Sequence, residues 1–188
     1  MLFLASKSPR RRGLLGQLGI PFEALDIDID ETWNGSAGIR DFIIGLALAK
    51  ARAGKRLVMP GDIVIAADTE VILDSEILGK PRDEAHAVHM LQRLSGRSHQ
   101  VLSAVAVIGT TEHTSLNTSR VGFKVLTDDE CQRYCATGDP LDKSGAYAIQ
   151  GLAAAFITRL EGSYSGVMGL PLAETRDLLE RAGIACSD

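Results

Sequence analysis

Acidic side chains interrupt an apolar segment in DIVIAADTEVILD, where Asp68, Thr69 and Glu70 break a run over 63–73 that is otherwise typical of a strand. A carboxylate inside a protein is costly unless it is paired, hydrogen-bonded or bound to a metal. One explanation is a hairpin bend that leaves these three residues in solvent. Because residues with high strand propensity follow at once, we favour a second explanation, in which Asp68 is buried or faces a cleft.

Cations gather at the start of a helix in ASKSPRRRGLLGQL. Ser8 is a favoured N-cap and Pro9 a favoured first residue, which predicts a helix over 9–18. The positive end of the helix dipole disfavours the cations placed there, which are Lys7, Arg10, Arg11 and Arg12. Either these side chains are solvated, or an anion binds at this helix end.

Lys50 lies on the apolar stripe of a predicted helix over 36–53, four residues after Leu46. Its ammonium group either extends past the core into solvent or points into a cleft that needs positive charge. Glu31 ends the alternating segment LDIDIDE, in which the aspartates are expected to be solvated: Asp26, Asp28 and Asp30.

Taken together, these residues suit a magnesium-bound polyphosphate. Phosphates bind at helix N-termini, and Mg²⁺ is usually held by one or two carboxylates plus substrate phosphates. The carboxylates would be Asp68 and Glu31, and the cations would be Arg10, Arg11, Lys50 and Lys80. The chain lacks the GxxxxGK[ST] motif, and no Ser–His or Cys–His nucleophile stands out. Direct attack by an activated water is therefore favoured over a covalent intermediate.

Composition narrows the class of protein. The 188 residues include 20 basic and 24 acidic side chains, a net charge of −4, and only 5% aromatic residues, which argues against a nucleic-acid partner. No run is long enough to span a membrane, and the apolar opening MLFLA is too short for a signal peptide. The three cysteines have no metal or redox spacing, so we expect a cytoplasmic protein.

Alternating periodicities predict an α/β protein with a mixed sheet flanked by helices, in one domain over 1–188. Strands are predicted over 2–5, 22–29, 63–73, 99–108, 117–126, 145–149 and 154–160. Further helices are predicted over 83–94, 128–136 and 171–182. Thr127 and Glu130 have capping-box spacing, and Gly138 and Gly183 suit helix C-termini.

The chain resembles the Maf family of nucleoside triphosphate pyrophosphatases along its whole length. The motifs that carry the resemblance are LASKSPRR (4–11), DET (30–32), LALAKA (46–51), ADT (67–69), GKP (79–81), LSGRSHQV (94–101), DKSGAYAIQG (142–151) and GLPL (169–172). The resemblance implies two lobes with a central cleft, similar to inosine triphosphate pyrophosphatases. It also implies hydrolysis of a nucleoside triphosphate to the monophosphate and pyrophosphate with a divalent metal, Mg²⁺ or Mn²⁺, and leaves a homodimer open.

The resemblance also assigns roles. Asp68 matches the family's proton acceptor, and whether it deprotonates water or holds the metal is left open, with Glu31 as the second metal or water ligand. Positions linked to base specificity are matched by Arg10, Thr69 and Gln150. Positions that line the cleft are matched by Ser6, Arg11, Glu31, Lys50 and Lys80.

The Asp-Thr pair and the Ile-Gln-Gly segment resemble the branch that acts on dTTP and UTP. The alternatives are a 7-methyl-GTP pyrophosphatase, an enzyme for damaged purine nucleotides, a nucleotide-sensing regulator of septum formation without catalysis, and a nucleic-acid-binding module that uses SPRRR. Three positions depart from the family pattern: Gly45, Ala37 and Gly166.

Overall fold

The computed structural model describes residues 1–32 and 38–185. Helices and strands alternate along the chain, as the periodicities predict. The strands are β1 (Leu2–Ala5), β2 (Glu23–Leu25), β3 (Ile63–Leu73), β4 (Glu76–Ile77), β5 (Ser98–Ile108), β6 (Glu112–Phe123) and β7 (Ile157–Glu161). The α-helices are α1 (Pro9–Gly16), α2 (Ile39–Lys55), α3 (Glu84–Leu94), α4 (Asp128–Cys135), α5 (Tyr164–Met168) and α6 (Leu172–Arg181).

Within the described ranges, seven strands form one sheet in the order β2-β1-β3-β5-β6-β7, with β4 paired to β3. Strand β1 runs parallel to β2 and to β3, so that Leu4 lies opposite both Ala24 and Ile65. The pairs β3–β4 and β6–β7 are antiparallel. The prediction of a mixed sheet in an α/β fold is therefore confirmed.

The chain divides into two compact units, and the first comprises 1–69, 103–117 and 169–188. Its described part contains β1, β2, α1, α2 and α6, together with the first part of β3. Helix α2 packs on β1 and β3 so closely at Gly54 that an added Cβ would lie 3.0 Å from Val64 and 3.1 Å from Ala5. The C-terminal half of α2 carries Lys50, which lies beside Asp68 in the middle of β3.

The second unit comprises 70–102 and 118–168 and has its own apolar core. Helices α3 and α4 pack together in this unit. The larger core side chains are Leu73, Met90, Leu91, Leu94, Phe123, Tyr134, Tyr147 and Phe156. The prediction of one domain over 1–188 stays a prediction.

The predicted strand over 145–149 is wrong. Ser144–Ala146 form a turn of 3-10 helix in which Gly145 and Ala146 have positive φ angles of 70° and 60°. The apolar letters AYAI suggested a strand because all four side chains are buried, as they would be in one. Their burial comes instead from a bent loop.

Other boundaries differ by a few residues. Strand β6 begins at Glu112 rather than 117, β7 begins at Ile157 after a 3-10 turn over Leu152–Phe156, and the short helix α5 was not predicted. Helix α2 ends at Lys55 rather than 53. The predicted start of that helix, at 36, lies outside the described residues.

The predicted helix caps are confirmed. Ser8 caps α1, and Thr127 and Glu130 form both hydrogen bonds of a capping box on α4. Gly138 and Gly183 have the positive φ angles typical of the residue after a helix. No helix in the part of the chain that the structure describes is long and apolar enough to cross a membrane.

Candidate active site

The cations at the start of α1 have different partners. Lys7 pairs with Asp28 at 3.1 Å and Arg12 pairs with Asp26 at 2.9 Å; both aspartates and Lys7 are exposed, whereas Arg12 is half-buried. The prediction that these aspartates are solvated is therefore confirmed, and they also offset two of the cations. Arg10 is half-buried in the same helical turn.

Lys50, Glu31 and Asp68 form one cluster in the first unit. The Lys50 Nζ atom lies 2.5 Å from Glu31 Oε1 and 2.6 Å from Asp68 Oδ1. Since the Lys50 side chain is only 12% exposed, it does not extend past the core into solvent, and its ammonium group pairs with two carboxylates instead. We call these three residues the carboxylate–lysine cluster.

Asp68 is the most buried member of the cluster, with 4% of the residue exposed. Its Oδ1 accepts the hydrogen bond from Lys50, whereas its Oδ2 is buried without a hydrogen-bond partner among the described residues. A buried carboxylate oxygen without a partner is destabilising, and such groups concentrate where a ligand supplies the missing contact. The expectation that Asp68 is buried rather than placed in a solvated hairpin bend is confirmed.

Arg11 reaches from α1 to the middle of β3. Its Nε donates to the carbonyl oxygen of Gly169 at 2.8 Å, and its Nη2 lies 3.5 Å from the Thr69 hydroxyl. The Thr69 hydroxyl also shares a 2.9 Å hydrogen bond with Ser103, a fully buried residue of β5. The bond to Gly169 therefore fixes the guanidinium group of Arg11. The hydroxyl of Thr69, the residue after Asp68, is held by both Arg11 and Ser103.

Ser6 lies between β1 and α1 and is buried. Its hydroxyl accepts the backbone N–H of Ser8 at 3.2 Å, and its carbonyl oxygen accepts from Arg12 at 3.3 Å. These bonds hold the turn that leads into α1. Ser6 therefore stabilises the backbone that presents Arg11.

Lys80 and Gln150 belong to the second unit, where both are exposed. Each lies in a motif, and the two motifs are in direct contact because the Gly145 N–H donates to the Gly79 carbonyl oxygen at 2.8 Å. Lys80 follows Gly79 directly, and Gln150 follows Gly145 by five residues. We call residues 143–151 the glutamine loop.

Aromatic side chains support the glutamine loop from within the core. The Tyr147 hydroxyl lies 2.7 Å from His99 Nε2, and the two rings meet edge-to-face with Phe123. Burial lowers the pKa of His99 to about 4 and raises the pKa of Tyr147, so both side chains are neutral at physiological pH. The Tyr134 hydroxyl accepts the Ala148 N–H at 3.3 Å.

The carboxylate–lysine cluster offers a divalent metal two carboxylates, but not a complete set of protein ligands. Within the described ranges no three or more His, Cys, Asp or Glu side chains form a metal-binding group. Two carboxylates do converge in the carboxylate–lysine cluster, and Asp68 Oδ2 still lacks a partner. That donor set suits Mg²⁺ bound together with substrate phosphates better than a closed protein site.

The departures from the family pattern fall in different settings. Gly45 is exposed on α2, and an added Cβ would meet nothing within 4 Å. Gly166 is buried in α5, where its N–H donates to the Ser163 hydroxyl at 2.9 Å. Ala37 lies outside the described residues.

Sequence reasoning missed two groups that the structure brings to these residues. Ser103 is a single small polar residue in the apolar run VLSAVAVI, and that interruption was the signal that could have identified it. The Gly169 carbonyl oxygen belongs to the backbone, so no side-chain type in the sequence indicates its role, although Gly169 begins the motif GLPL. Both hold a side chain that the sequence singled out, Thr69 and Arg11 respectively.

Known proteins of similar sequence cover nearly the whole chain. Three relatives named dTTP/UTP pyrophosphatase come from Anaeromyxobacter dehalogenans (50% identical, 97% of this chain and 94% of the relative), Alkalilimnicola ehrlichii (48%, 95% and 91%) and Escherichia coli O157:H7 (46%, 95% and 91%).

A solved dITP/XTP pyrophosphatase structure from Mycobacterium abscessus covers 65% of this chain and 73% of its own, with 19% identity and a TM-score of 0.45, too low to assign a fold. The model of the Maf-like protein family matches residues 1–182. The chain that carries the carboxylate–lysine cluster is therefore a member of the Maf family.

Proposed function

We propose that this protein is a nucleoside triphosphate pyrophosphatase that hydrolyses dTTP and UTP to the monophosphate and pyrophosphate. The relatives that share 44–50% of its sequence carry the name dTTP/UTP pyrophosphatase. The observation in the structure that supports the proposal best is Asp68, a buried carboxylate with one oxygen bonded to Lys50 and the other without a partner in the described chain.

In the proposed reaction, a water oxygen attacks the α-phosphorus of the triphosphate. The bond between that phosphorus and the oxygen bridging to the β-phosphate breaks, and pyrophosphate leaves with the electron pair. Asp68 Oδ2 accepts a proton from the water, since Oδ1 is already engaged by Lys50. The Lys50 ammonium group donates to Oδ1 and so orients the Asp68 side chain with Oδ2 left for the water.

The alternative role of Asp68 Oδ2 is to hold a divalent metal, Mg²⁺ or Mn²⁺, together with Glu31. When bound, the metal would acidify the water in place of proton transfer to Asp68 and would neutralise phosphate charge. Arg11, Lys50 and Lys80 are the cations proposed to offset the charge of the triphosphate and of the leaving pyrophosphate. Arg11 is suited to this role because its Nε bond to Gly169 fixes the plane of the guanidinium group before any ligand arrives.

Base selection is proposed for Arg10, Thr69 and Gln150. An amide group such as that of Gln150 both donates and accepts hydrogen bonds, which matches the edge of a pyrimidine. Thr69 is held by Ser103 and Arg11, so its hydroxyl has a defined position.

The test is product analysis of the purified protein with dTTP, UTP and 7-methyl-GTP, with and without Mg²⁺ or Mn²⁺, in water labelled with heavy oxygen. We expect the pyrimidine monophosphate and pyrophosphate, formed only with metal. The label should appear in the monophosphate, because that is the product of attack at the α-phosphorus.

Asp68→Asn is the matched variant, since it removes the base and keeps the shape of the side chain. We expect turnover to fall by at least about 100-fold while equilibrium binding of the nucleotide changes little. Near-normal turnover by this variant would exclude Asp68 as the base. If the wild type hydrolysed 7-methyl-GTP alone, the protein would be a 7-methyl-GTP pyrophosphatase. If it hydrolysed no nucleotide, a protein that binds nucleotides without catalysis would be favoured.

A further inference from the structure

We propose that Ser144 and Glu70 form a positioning pair that docks the glutamine loop onto β3 and thereby sets the affinity for the nucleotide base. The Ser144 hydroxyl donates to Glu70 Oε2 at 2.6 Å and accepts the Val71 N–H at 2.9 Å. This inference rests on the base-selecting role proposed for Gln150. All of the residues that carry it belong to the second unit.

The pair joins the loop to the strand that also carries Asp68 and Thr69. Glu70 and Val71 are the next two residues of β3, so the Ser144 hydroxyl bonds to the strand directly after the predicted site residues. The carbonyl oxygen of Val71 accepts the Leu78 N–H at 2.9 Å. The Val71 N–H therefore donates to a serine hydroxyl, where in a regular sheet it would donate to a carbonyl oxygen of a neighbouring strand.

The next residue of the loop shows how close the docking is. A Cβ at Gly145 would lie 2.7 Å from the Val71 side chain, and its φ of 70° is one that other residues rarely adopt. Ala146 follows with a φ of 60°, although it is not a glycine. A backbone in these conformations is held by its surroundings rather than by local preference, and the hydrogen bonds of Ser144 supply that restraint.

The docking point is connected through neighbouring residues to both substrate-binding candidates of this unit, Lys80 and Gln150. The Gly145 N–H bonds to the carbonyl oxygen of Gly79, the residue before Lys80. Gln150 is exposed near the end of the loop, beyond the buried aromatic contacts of Tyr147. Loss of the Ser144 anchor would therefore widen the range of positions of Gln150 and Lys80 without removing either group. The expected consequence is weaker binding with unchanged chemistry.

The sequence contains a well-matched control for this pair. Ser95 is also half-buried in the second unit, and its hydroxyl also accepts a backbone N–H, from Leu126 at 2.7 Å. Ser95→Ala removes the same kind of hydrogen bond at the C-terminus of α3, where the hydrogen bonds of Ser95 go to Leu91 and Leu126 and not to the glutamine loop. If the loss of a buried serine hydrogen bond affected the KM only by lowering stability, Ser144→Ala and Ser95→Ala would change the KM to the same extent.

The experiment compares Ser144→Ala, Glu70→Ala, Glu70→Gln and Ser95→Ala. For Ser144→Ala and Glu70→Ala we expect the KM for dTTP to rise about tenfold with kcat within about twofold of the wild type. Glu70→Gln keeps an oxygen that accepts from Ser144 and should retain most of the affinity. The double variant Ser144→Ala/Glu70→Ala should raise the KM no more than Ser144→Ala alone, because the bond that Glu70→Ala removes is already lost with the serine hydroxyl.

Hydrogen exchange of the free protein separates this inference from the proposed function. We expect the amides of Val71 and of the glutamine loop to exchange faster in Ser144→Ala than in the wild type, and to be unchanged in Ser95→Ala. Failure of the wild type to hydrolyse dTTP or UTP would contradict the proposed function and leave this exchange result valid. Unchanged exchange, an unchanged KM, or a loss confined to kcat would overturn the positioning role.

Discussion

At the scale of single residues, the main feature is a lysine shared by two carboxylates. Lys50 bonds both Glu31 and Asp68, and the Asp68 side chain is only 6% exposed. Removal of one partner from a buried ion pair leaves an uncompensated charge, which costs more than the pair itself contributes. Lys50 is therefore needed for stability as well as for the proposed chemistry.

We expect Lys50→Met to lower the free energy of unfolding by about 3 kcal/mol, measured by urea denaturation at neutral pH. Lys50→Met/Asp68→Asn should be more stable than Lys50→Met alone, because the stranded charge is gone. The control is Lys7→Met, which removes an exposed ion pair and should cost less than about 1 kcal/mol. Equal costs for the two lysines would contradict the burial argument.

A second residue-scale prediction concerns Ser103, which bonds to the Thr69 hydroxyl at 2.9 Å. Because Thr69 is proposed to contact the base, Ser103→Ala should change the ratio of kcat/KM for dTTP and UTP by about three- to tenfold. Ser119 is equally buried and bonds to the backbone of Ser163 in the second unit. Ser119→Ala should lower stability without changing the ratio of kcat/KM for dTTP and UTP. If Ser103→Ala and Ser119→Ala gave the same ratio, Ser103 would be excluded as a positioning residue.

At the scale of elements, the glutamine loop depends on a buried histidine. His99 of β5 is 3% exposed, bonds to Tyr147, and packs edge-to-face on Phe123. Its pKa is lowered by burial from the ordinary 6.5 to about 4. The folded protein therefore binds fewer protons at this site than the unfolded chain as the pH falls below 6.5.

The sign of the pH dependence follows from that difference. Since the unfolded state takes up the proton first, the contribution of neutral His99 is fully present above pH 6.5 and is lost as the pH falls from 6.5 towards about 4. We expect the stability advantage of the wild type over His99→Gln to shrink by about 1.4 kcal/mol per pH unit in this range, measured by urea unfolding. A curve for His99→Gln parallel to that of the wild type would contradict the prediction.

At the scale of the whole molecule, each of the two units has an apolar core of its own. In the first unit Lys50 lies between the carboxylates Glu31 and Asp68 and bonds both of them. A divalent metal is therefore not needed to relieve repulsion between them in the folded state. Metal removal should affect turnover and leave the fold intact.

We expect a chelator to abolish turnover of dTTP while the thermal midpoint stays within about 3 °C of that of the untreated protein. Circular dichroism measures the midpoint, and added Mg²⁺ should restore turnover without a change in the spectrum. A large fall in the midpoint would indicate that the metal also supports the structure. Full turnover with the chelator present would contradict the metal requirement.

The sequence by itself determined the class of elements, most of their order and the identity of the charged residues. Helices such as α1 and α4 could be predicted because their caps and periodicities lie within a few neighbouring residues. Asp68 could be singled out because a carboxylate in an apolar run is costly wherever the strand is placed. Family resemblance added roles, such as that of Gln150, which the residue pattern alone does not give.

Only the tertiary structure decided which groups meet. The sequence left the direction of the Lys50 side chain open, because the apolar stripe of α2 does not show which residues surround the ammonium group. In the fold, those residues are Glu31 and Asp68. The same limit explains the error over 145–149, whose buried side chains are typical of a strand. Its backbone is bent by contacts with Val71 and Gly79, which are distant in sequence, and no local pattern records such contacts.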